Sequence, residues 1–295
     1  MSEIEILLID DYSTDNSIKI IKELAYEDYP IKIIKNKKNR GSLYSRSIGV
    51  LKAEGEYIMA LDSDDLFINE NLFNICYEEM IQNNLDIIEF AGFHIKRPIL
   101  KTNNIFPIKP YYLRFKPYDR IIKQPNLFNN LYKRNETDII RLNDAYIWGK
   151  CIKKNIYKKS LEKLGENIYN QYLNFGEDRI VNFILFQVAS SFKYINLYGI
   201  IYYNNSLSIY NSYKKELITR DELMNLFIIY NFTKNSSLIN ILLYEIKFRW
   251  DSVIKPGLNE ENKRHIKKLL KLLINNNYTK LSDKKILINY TSEIE

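Results

Sequence analysis

The stretch that most constrains this 295-residue chain is Glu56-Tyr-Ile-Met-Ala-Leu-Asp62-Ser-Asp64-Asp65. A short apolar run, Tyr57 to Leu61, ends abruptly in three carboxylates within four residues. That pattern predicts a buried strand delivering acids to the carboxyl end of a sheet, where open α/β folds place their ligands. Clustered carboxylates are costly unless positive charge sits among them. A hard divalent cation with a polyphosphate on its far side meets that need. A solvated acidic turn is the simpler reading, and it suits one carboxylate better than three.

The flanking sequence supplies the rest of an α/β unit. Ile4 to Ile9 is a nearly continuous apolar run closed by Asp10-Asp11, and Ile18, Ile21, Leu24 and Ala25 mark one face of a following helix. A second short strand covers Ile31 to Ile34, a basic loop runs from Asn36 to Arg40, and a helix spans Ser42 to Lys52. Such alternation predicts right-handed crossovers and a mostly parallel, nucleotide-binding sheet flanked by helices. Beyond the acids, the pattern predicts a helix over Asn69 to Asn83 and a strand over Asp86 to His94. Pro98, Pro107, Pro110 and Pro117 predict a long loop or lid. Helical patterning resumes at Ile121 to Lys133, and a clear helix follows Gly176. Ile195 to Tyr203 reads as one or two strands. Residues 206–295 read as an all-helical extension, with helices over Leu217 to Phe232, Leu238 to Val253 and Glu260 to Ile274.

Composition narrows the class without choosing a partner. A formal net charge of +7 permits nucleotides, nucleic acid or a membrane surface. A nucleic-acid reading rests on charge and aromatics alone, so no nucleic-acid partner is expected. Cys76 and Cys151 lack metal-ligand spacing and His94 and His265 are the only histidines, which argues against zinc. No secretory pattern follows Met1, and the best apolar run, Leu238 to Phe248, is broken by Asn240, Glu245 and Lys247. The expected compartment is the cytoplasm, with a weak peripheral membrane contact through the basic helix Glu260 to Ile274. The simpler reading of that helix is that its leucines close the helical extension.

Several motifs together carry a family resemblance. Ile9-Asp-Asp-Tyr-Ser-Thr-Asp-Asn-Ser17 resembles the "VDDGSTDNS" stretch of family 2 glycosyltransferases, which have the GT-A fold. Asn39-Arg-Gly41 with Ser45-Arg-Ser47 and Gly49 is similar to that family's "NxG…ARNxG" segment. Gly55 to Asp65 resembles "GEYIxFLDSDD", which holds the family's DxD metal motif. Glu177-Asp178 matches a later "ED" pair, and Tyr202-Tyr203 with Ser206 is faintly similar to "YxYR…S". The match covers residues 4 to 206, with Tyr12 replacing a glycine and Ser47 an asparagine. The family begins with a further strand and helix, roughly "VSVIIPVYN", ahead of the point where this chain starts. An incomplete gene product, a substitute segment and a decayed donor site all remain open as readings of that difference.

The resemblance implies a metal-dependent, inverting glycosyltransferase that moves a sugar from a nucleotide donor, UDP-sugar by preference, to a glycan, lipid-linked or protein acceptor. A non-catalytic GT-A-like scaffold is the alternative. It implies a GT-A domain over 1–205, with a nucleotide-sugar half (1–95) and an acceptor half (96–205). Asp62 and Asp64 would hold Mn²⁺ or Mg²⁺ with the donor diphosphate. An EF-hand would need glycine where Phe67 stands, and a DxDx[TV] phosphatase would need Thr or Val at Leu66. Asp11, with Asp10, would receive the donor base, although a helix-capping aspartate is the simpler reading. Arg46 suits phosphate or base contact. Asp178 would be the general base, held ionised by its place in a first helical turn, with Glu177 as substitute or acceptor-orienting group. Both acids could instead merely complement the helix dipole. Trp148 either stacks on an acceptor sugar or belongs to the core.

Overall fold

The computed structural model describes residues 4–26, 31–96, 121–124, 132–134, 139–141, 146–204, 214–236 and 238–294. The chain forms two compact units. The first comprises Met1–Leu131 with Asp144–Ser208, and the second Tyr132–Asn143 with Ile209–Glu295.

The first unit opens with β1 (Ile6–Asp10), α1 (Ser17–Tyr26), β2 (Ile31–Lys35) and α2 (Ser42–Lys52). Short strands β3 (Tyr57–Met59) and β4 (Leu66–Phe67) flank the acids of the 62–65 turn, followed by α3 (Leu72–Gln82), β5 (Ile87–Lys96) and β6 (Ile122–Lys123). After β7 (Tyr132–Arg134) and β8 (Ile139–Arg141) of the second unit come β9 (Lys150–Lys153), α4 (Lys154–Leu164), α5 (Glu166–Tyr169), α6 (Glu177–Val188) and β10 (Ser191–Asn204). The central six-stranded sheet runs β3-β9-β5-β10-β4, with β6 also on β10.

This sheet is mixed, which corrects the mostly parallel expectation. Among the described residues parallel pairing is confined to β1–β2 and to β5–β10. Strand β9 inserts between β3 and β5 and runs against both. Among the described residues no ladder joins β1–β2 to the larger sheet. The predicted helix over Ile121 to Lys133 is also corrected where described, since Ile122–Lys123 and Tyr132–Arg134 are strands. Gln124 Nε2 donates to the Phe186 and Ala189 carbonyls, tying the end of β6 to the C-terminal turn of α6. The proline-rich lid expected over Lys96 to Tyr118 lies almost wholly outside the described residues.

The core of this unit lies under β5 and β10, where Leu72, Cys76, Met80, Ile88, Phe90, Cys151, Ile195 and Ile200 are buried together. Gly92 lets those two strands close, since a Cβ there would meet Ile200 Cγ2 at 2.5 Å. By contrast, α1 buries none of its residues, although its sequence is amphipathic.

The second unit is mainly helical: α7 (Lys215–Thr233), α8 (Ile239–Arg249), a π turn (Trp250–Ile254), α9 (Glu260–Ile274) and α10 (Leu281–Ile294), with the β7–β8 ladder. Arg249 pairs with two buried carboxylates, Glu222 at 2.9 Å and Glu245 at 3.2 Å. Ile266, Leu269, Leu270 and Leu273 of α9 are fully buried. The apolar face that the sequence offered to a membrane is therefore occupied by packing. Among the described residues no helix is long and apolar enough to cross a membrane.

Candidate active site

Helix α2 organises the site because its first turn is gripped from two directions. Asp11 accepts from the Arg40 N–H (2.7 Å) and Asn36 Nδ2 (2.8 Å) through Oδ1, and from the Gly41 N–H (2.7 Å) through Oδ2. From the other side Asn174 Oδ1 accepts from the Ser42 N–H at 2.8 Å. Gly41 has φ +85°, and a Cβ there would lie 2.9 Å from the Leu173 carbonyl, so glycine suits this crossing. Asp11 thus anchors the loop before α2, a capping-type role the simpler sequence reading allowed.

One turn along α2, Arg46 becomes the centre of the acid cluster. Its Nη1 donates to Glu177 Oε1 and to Asp178 Oδ1, both at 2.6 Å, and Nη2 donates to Asp62 Oδ1 at 2.7 Å. Ser42, four residues earlier and hence on the same helix face, donates from Oγ to the same Glu177 oxygen at 2.6 Å. The structure thus brings Arg46, Asp62, Glu177 and Asp178 together, although they are separated by up to 132 positions. Arg46 was expected to face phosphate or base; here its guanidinium joins the turn after β3 to the N-terminus of α6.

Asp178 is poised between opposing influences. Burial disfavours its charge, and Glu177 and Asp62 push the same way, while the Arg46 guanidinium and the Ile147 N–H (3.2 Å) favour ionisation. Burial dominates and raises the carboxyl to about 7. A carboxylate with that affinity for protons is matched to acid–base work at neutral pH.

Asp62 and Asp64 flank the turn after β3, whose closing bond runs from the Asp65 N–H to the Asp62 carbonyl at 3.0 Å. Asp65 Oδ1 accepts from the Tyr203 N–H of β10, also at 3.0 Å. Among the described residues no group of three or more His, Cys, Asp or Glu is placed to hold a metal ion. Asp62 and Asp64 stand two positions apart in this turn, and two carboxylates would suffice only for a cation that takes its remaining ligands from water and phosphate, as Mg²⁺ commonly does. Asp62 retains Oδ2 for such a role while Oδ1 holds Arg46.

On the donor side, Asp10 is 3% exposed, with Oδ1 accepting from the Ser13 N–H and Oδ2 buried without a partner among the described residues. An orphaned buried acceptor is expensive, and it sits beside Asp11 as the resemblance requires of a base-binding group. Trp148, for which the sequence allowed either an acceptor platform or a core position, is only 6% exposed and belongs to the core cluster, stacked with Tyr146 at 4.6 Å and Tyr202 at 5.4 Å. Sequence reasoning passed over Ser42, Tyr146 and Asn182. The i, i+4 spacing of Ser42 and Arg46 was the available signal for the first; Asn182 donates from Nδ2 to the Tyr146 carbonyl at 3.0 Å, a pairing between distant segments that no local pattern announces.

The fold and this carboxylate cluster define a GT-A-like α/β protein with a C-terminal helical extension. The sequence pattern described as "Glycosyl transferase family 2" matches residues 1–141, and the chain is related to that family. It is 27% identical over 209 residues to the "Uncharacterized glycosyltransferase EpsJ" of Bacillus subtilis, covering 71% of this chain and 55% of the relative. It is 28% identical over 248 residues to the "Cholesterol galactosyltransferase" of Borreliella burgdorferi, covering 78% and 62%. The chain therefore spans less than two thirds of either relative's length. In structure it superposes on S. aureus TarS 1-349 in complex with UDP-GlcNAc with a TM-score of 0.64 and 13% identity, over 99% of this chain and 80% of that one.

Proposed function

We propose that the chain is a metal-dependent, inverting glycosyltransferase that transfers a sugar from a nucleoside diphosphate donor to an acceptor hydroxyl. The observation that carries this reading is the convergence on Arg46 of Asp62, from the donor-side motif, with Glu177 and Asp178. The acceptor oxygen attacks the anomeric carbon from the side opposite the diphosphate, the bond to the diphosphate breaks, and Asp178 takes the hydroxyl proton. Asp62 and Asp64 would hold Mn²⁺ or Mg²⁺, which when bound neutralises charge on the leaving diphosphate. Asp11 has used three of about four acceptor positions of a carboxylate, so it and the orphaned oxygen of Asp10 can receive N–H groups of the base. UDP is the nucleotide of choice, on the likeness to a UDP-GlcNAc complex. The acceptor class includes glycans, lipid-linked sugars and proteins. A peripheral membrane contact would rest on the α9 lysines alone.

Calorimetry with UDP and Mn²⁺, joined to a UDP-sugar hydrolysis assay, tests the reading. Asp64→Ala should abolish Mn²⁺-dependent binding and hydrolysis with the fold intact, and turnover indifferent to EDTA would remove the metal. A non-catalytic GT-A-like module is the second reading, favoured by the absence of any ladder joining β1–β2 to the larger sheet among the described residues. Failure to bind any UDP-sugar would decide for it.

A further inference from the structure

Burial of Trp148 leaves open what its two neighbours do. Tyr146 lies 4.6 Å from the indole and Tyr202 5.4 Å from it, both stacked, and the two tyrosine rings are 6.0 Å apart. On opposite faces of the indole their separation would approach the sum of the two indole distances. At 6.0 Å they lie side by side on one face, tilted 33° to each other. Both rings are partly exposed while the indole beneath them is buried.

The chain holds this pair of rings between the two acid groups. Ile147, next to Tyr146, donates its N–H to Asp178 Oδ2. Tyr203, next to Tyr202, donates its N–H to Asp65 Oδ1. The Tyr202 phenol is raised by burial first, then by the charges of Asp65, Asp64, Asp62 and Asp178, which all lie within its electrostatic reach. Below, the Tyr146 carbonyl accepts from Lys150 Nζ at 2.5 Å and from Asn182 Nδ2 at 3.0 Å, fixing the segment from its backbone.

A half-exposed aromatic surface of two tilted rings, bordered by carboxylates, suits a ligand with an apolar C–H face and a hydroxylated rim. A pyranose ring has both. We propose that Tyr146 and Tyr202 form the stacking platform for a sugar ring at the reaction centre, with Trp148 as its buried backing. The assignment rests on the glycosyl-transfer reading and deepens it. The ring could come from the acceptor or from the donor, and the chemistry of the contact is the same.

Saturation-transfer difference NMR separates the possibilities, using methyl β-D-glucopyranoside, methyl N-acetyl-β-D-glucosaminide, UDP and UDP-GlcNAc as probes with and without diamagnetic Mg²⁺. Sugar ring protons should receive saturation in the wild-type protein. That signal should fall about fivefold in Tyr146→Leu and Tyr202→Leu, as loss of an aromatic contact predicts. It should persist in Tyr146→Phe and Tyr202→Phe, which keep the ring, while uracil signals of UDP stay unchanged in all four. Transfer to a methyl glycoside places the acceptor on the platform, and transfer confined to UDP-GlcNAc places the donor sugar there. Equal sugar signals in wild type and Leu variants would overturn the platform, as would loss in the Phe variants or no sugar signal at all. Absence of UDP binding would instead refute the donor reading, because the methyl glycoside arm runs without nucleotide. Circular dichroism melts confirm that the Leu variants are folded.

Discussion

Asp178 shows how a single side chain carries both a cost and a use. Its carboxyl is raised to about 7 chiefly by burial, against the pull of Arg46. As a base it works only when ionised, so kcat/KM should fall as pH drops through about 7. Glu177→Gln removes a neighbouring negative charge and should move that acid limb to lower pH. Arg46→Gln removes the cation and should move it higher. A pH–rate profile unchanged in both variants would mean that another group is the base. Linkage runs in the opposite sense to activity. A folded-state value above the unfolded one means the native state binds the proton more tightly, so this group's contribution to stability declines as pH rises from about 4 towards 7. Tyr12 is a second residue under constraint, with φ +67° and the residue 51% exposed. A bulky residue in the left-handed region costs on the order of 1 kcal/mol or more. Tyr12→Gly should therefore raise the melting temperature by a few degrees, and a lowered one would show that the phenol ring makes a stabilising contact.

The segment that joins Tyr146 to β9 turns buried charge into position. Lys150 and Glu89 are both buried, 3.1 Å apart, and Lys150 also holds the Tyr146 carbonyl. Removing one member of a buried pair strands the other, typically at about 3–5 kcal/mol, whereas replacing both with apolar groups often costs little. Lys150→Met should destabilise by that amount in urea titrations. The double variant Glu89→Leu with Lys150→Met should recover most of the loss, while activity stays depressed because the carbonyl of Tyr146 has lost one of the two donors that fix it, keeping only Asn182 Nδ2 of that pair. Full recovery of both would make the pair purely structural. This element also marks where the sequence stops being legible. The apolar runs ending in acids at Asp10 and Asp62 and the helix after Gly176 could be read directly, because strand and helix periodicity and chain order are local signals. Insertion of β9 between β3 and β5 could not, since strand order is decided by long-range packing. Nor could burial of Trp148, because a glycine at position 92 and two tyrosines more than fifty residues apart make its pocket. Arg46 was identified as a site residue, yet its three carboxylate partners come from two distant segments that only the fold unites.

At the scale of the molecule, the candidate site draws its parts from regions of unequal packing. Asp178 and the platform tyrosines rest on the core beneath β5 and β10, which pair along ten registered positions. Asp10 and Asp11 rest on β1, β2 and α1, where α1 buries no residue and Ile6, Ile20 and Leu24 are 38%, 54% and 45% exposed. Few buried apolar contacts mean a low free energy of local opening. Amide hydrogen exchange should therefore be at least about a hundredfold faster in β1, β2 and α1 than in β5 and β10, despite the complete β1–β2 ladder. Because a ligand that binds only the closed form stabilises it by mass action, saturating UDP with Mn²⁺ should slow exchange in β1 and the loop before α2 more than in the core. The expected signature is a selective gain at Asp11, Asn36, Arg40 and Gly41, whose groups meet at the Asp11 carboxylate. Equal protection of β1 and β5 in the free protein would refute the uneven packing. Protection gained uniformly across the chain would mean that the donor does not act through this end of the unit, and that the base contacts assigned to Asp10 and Asp11 belong elsewhere.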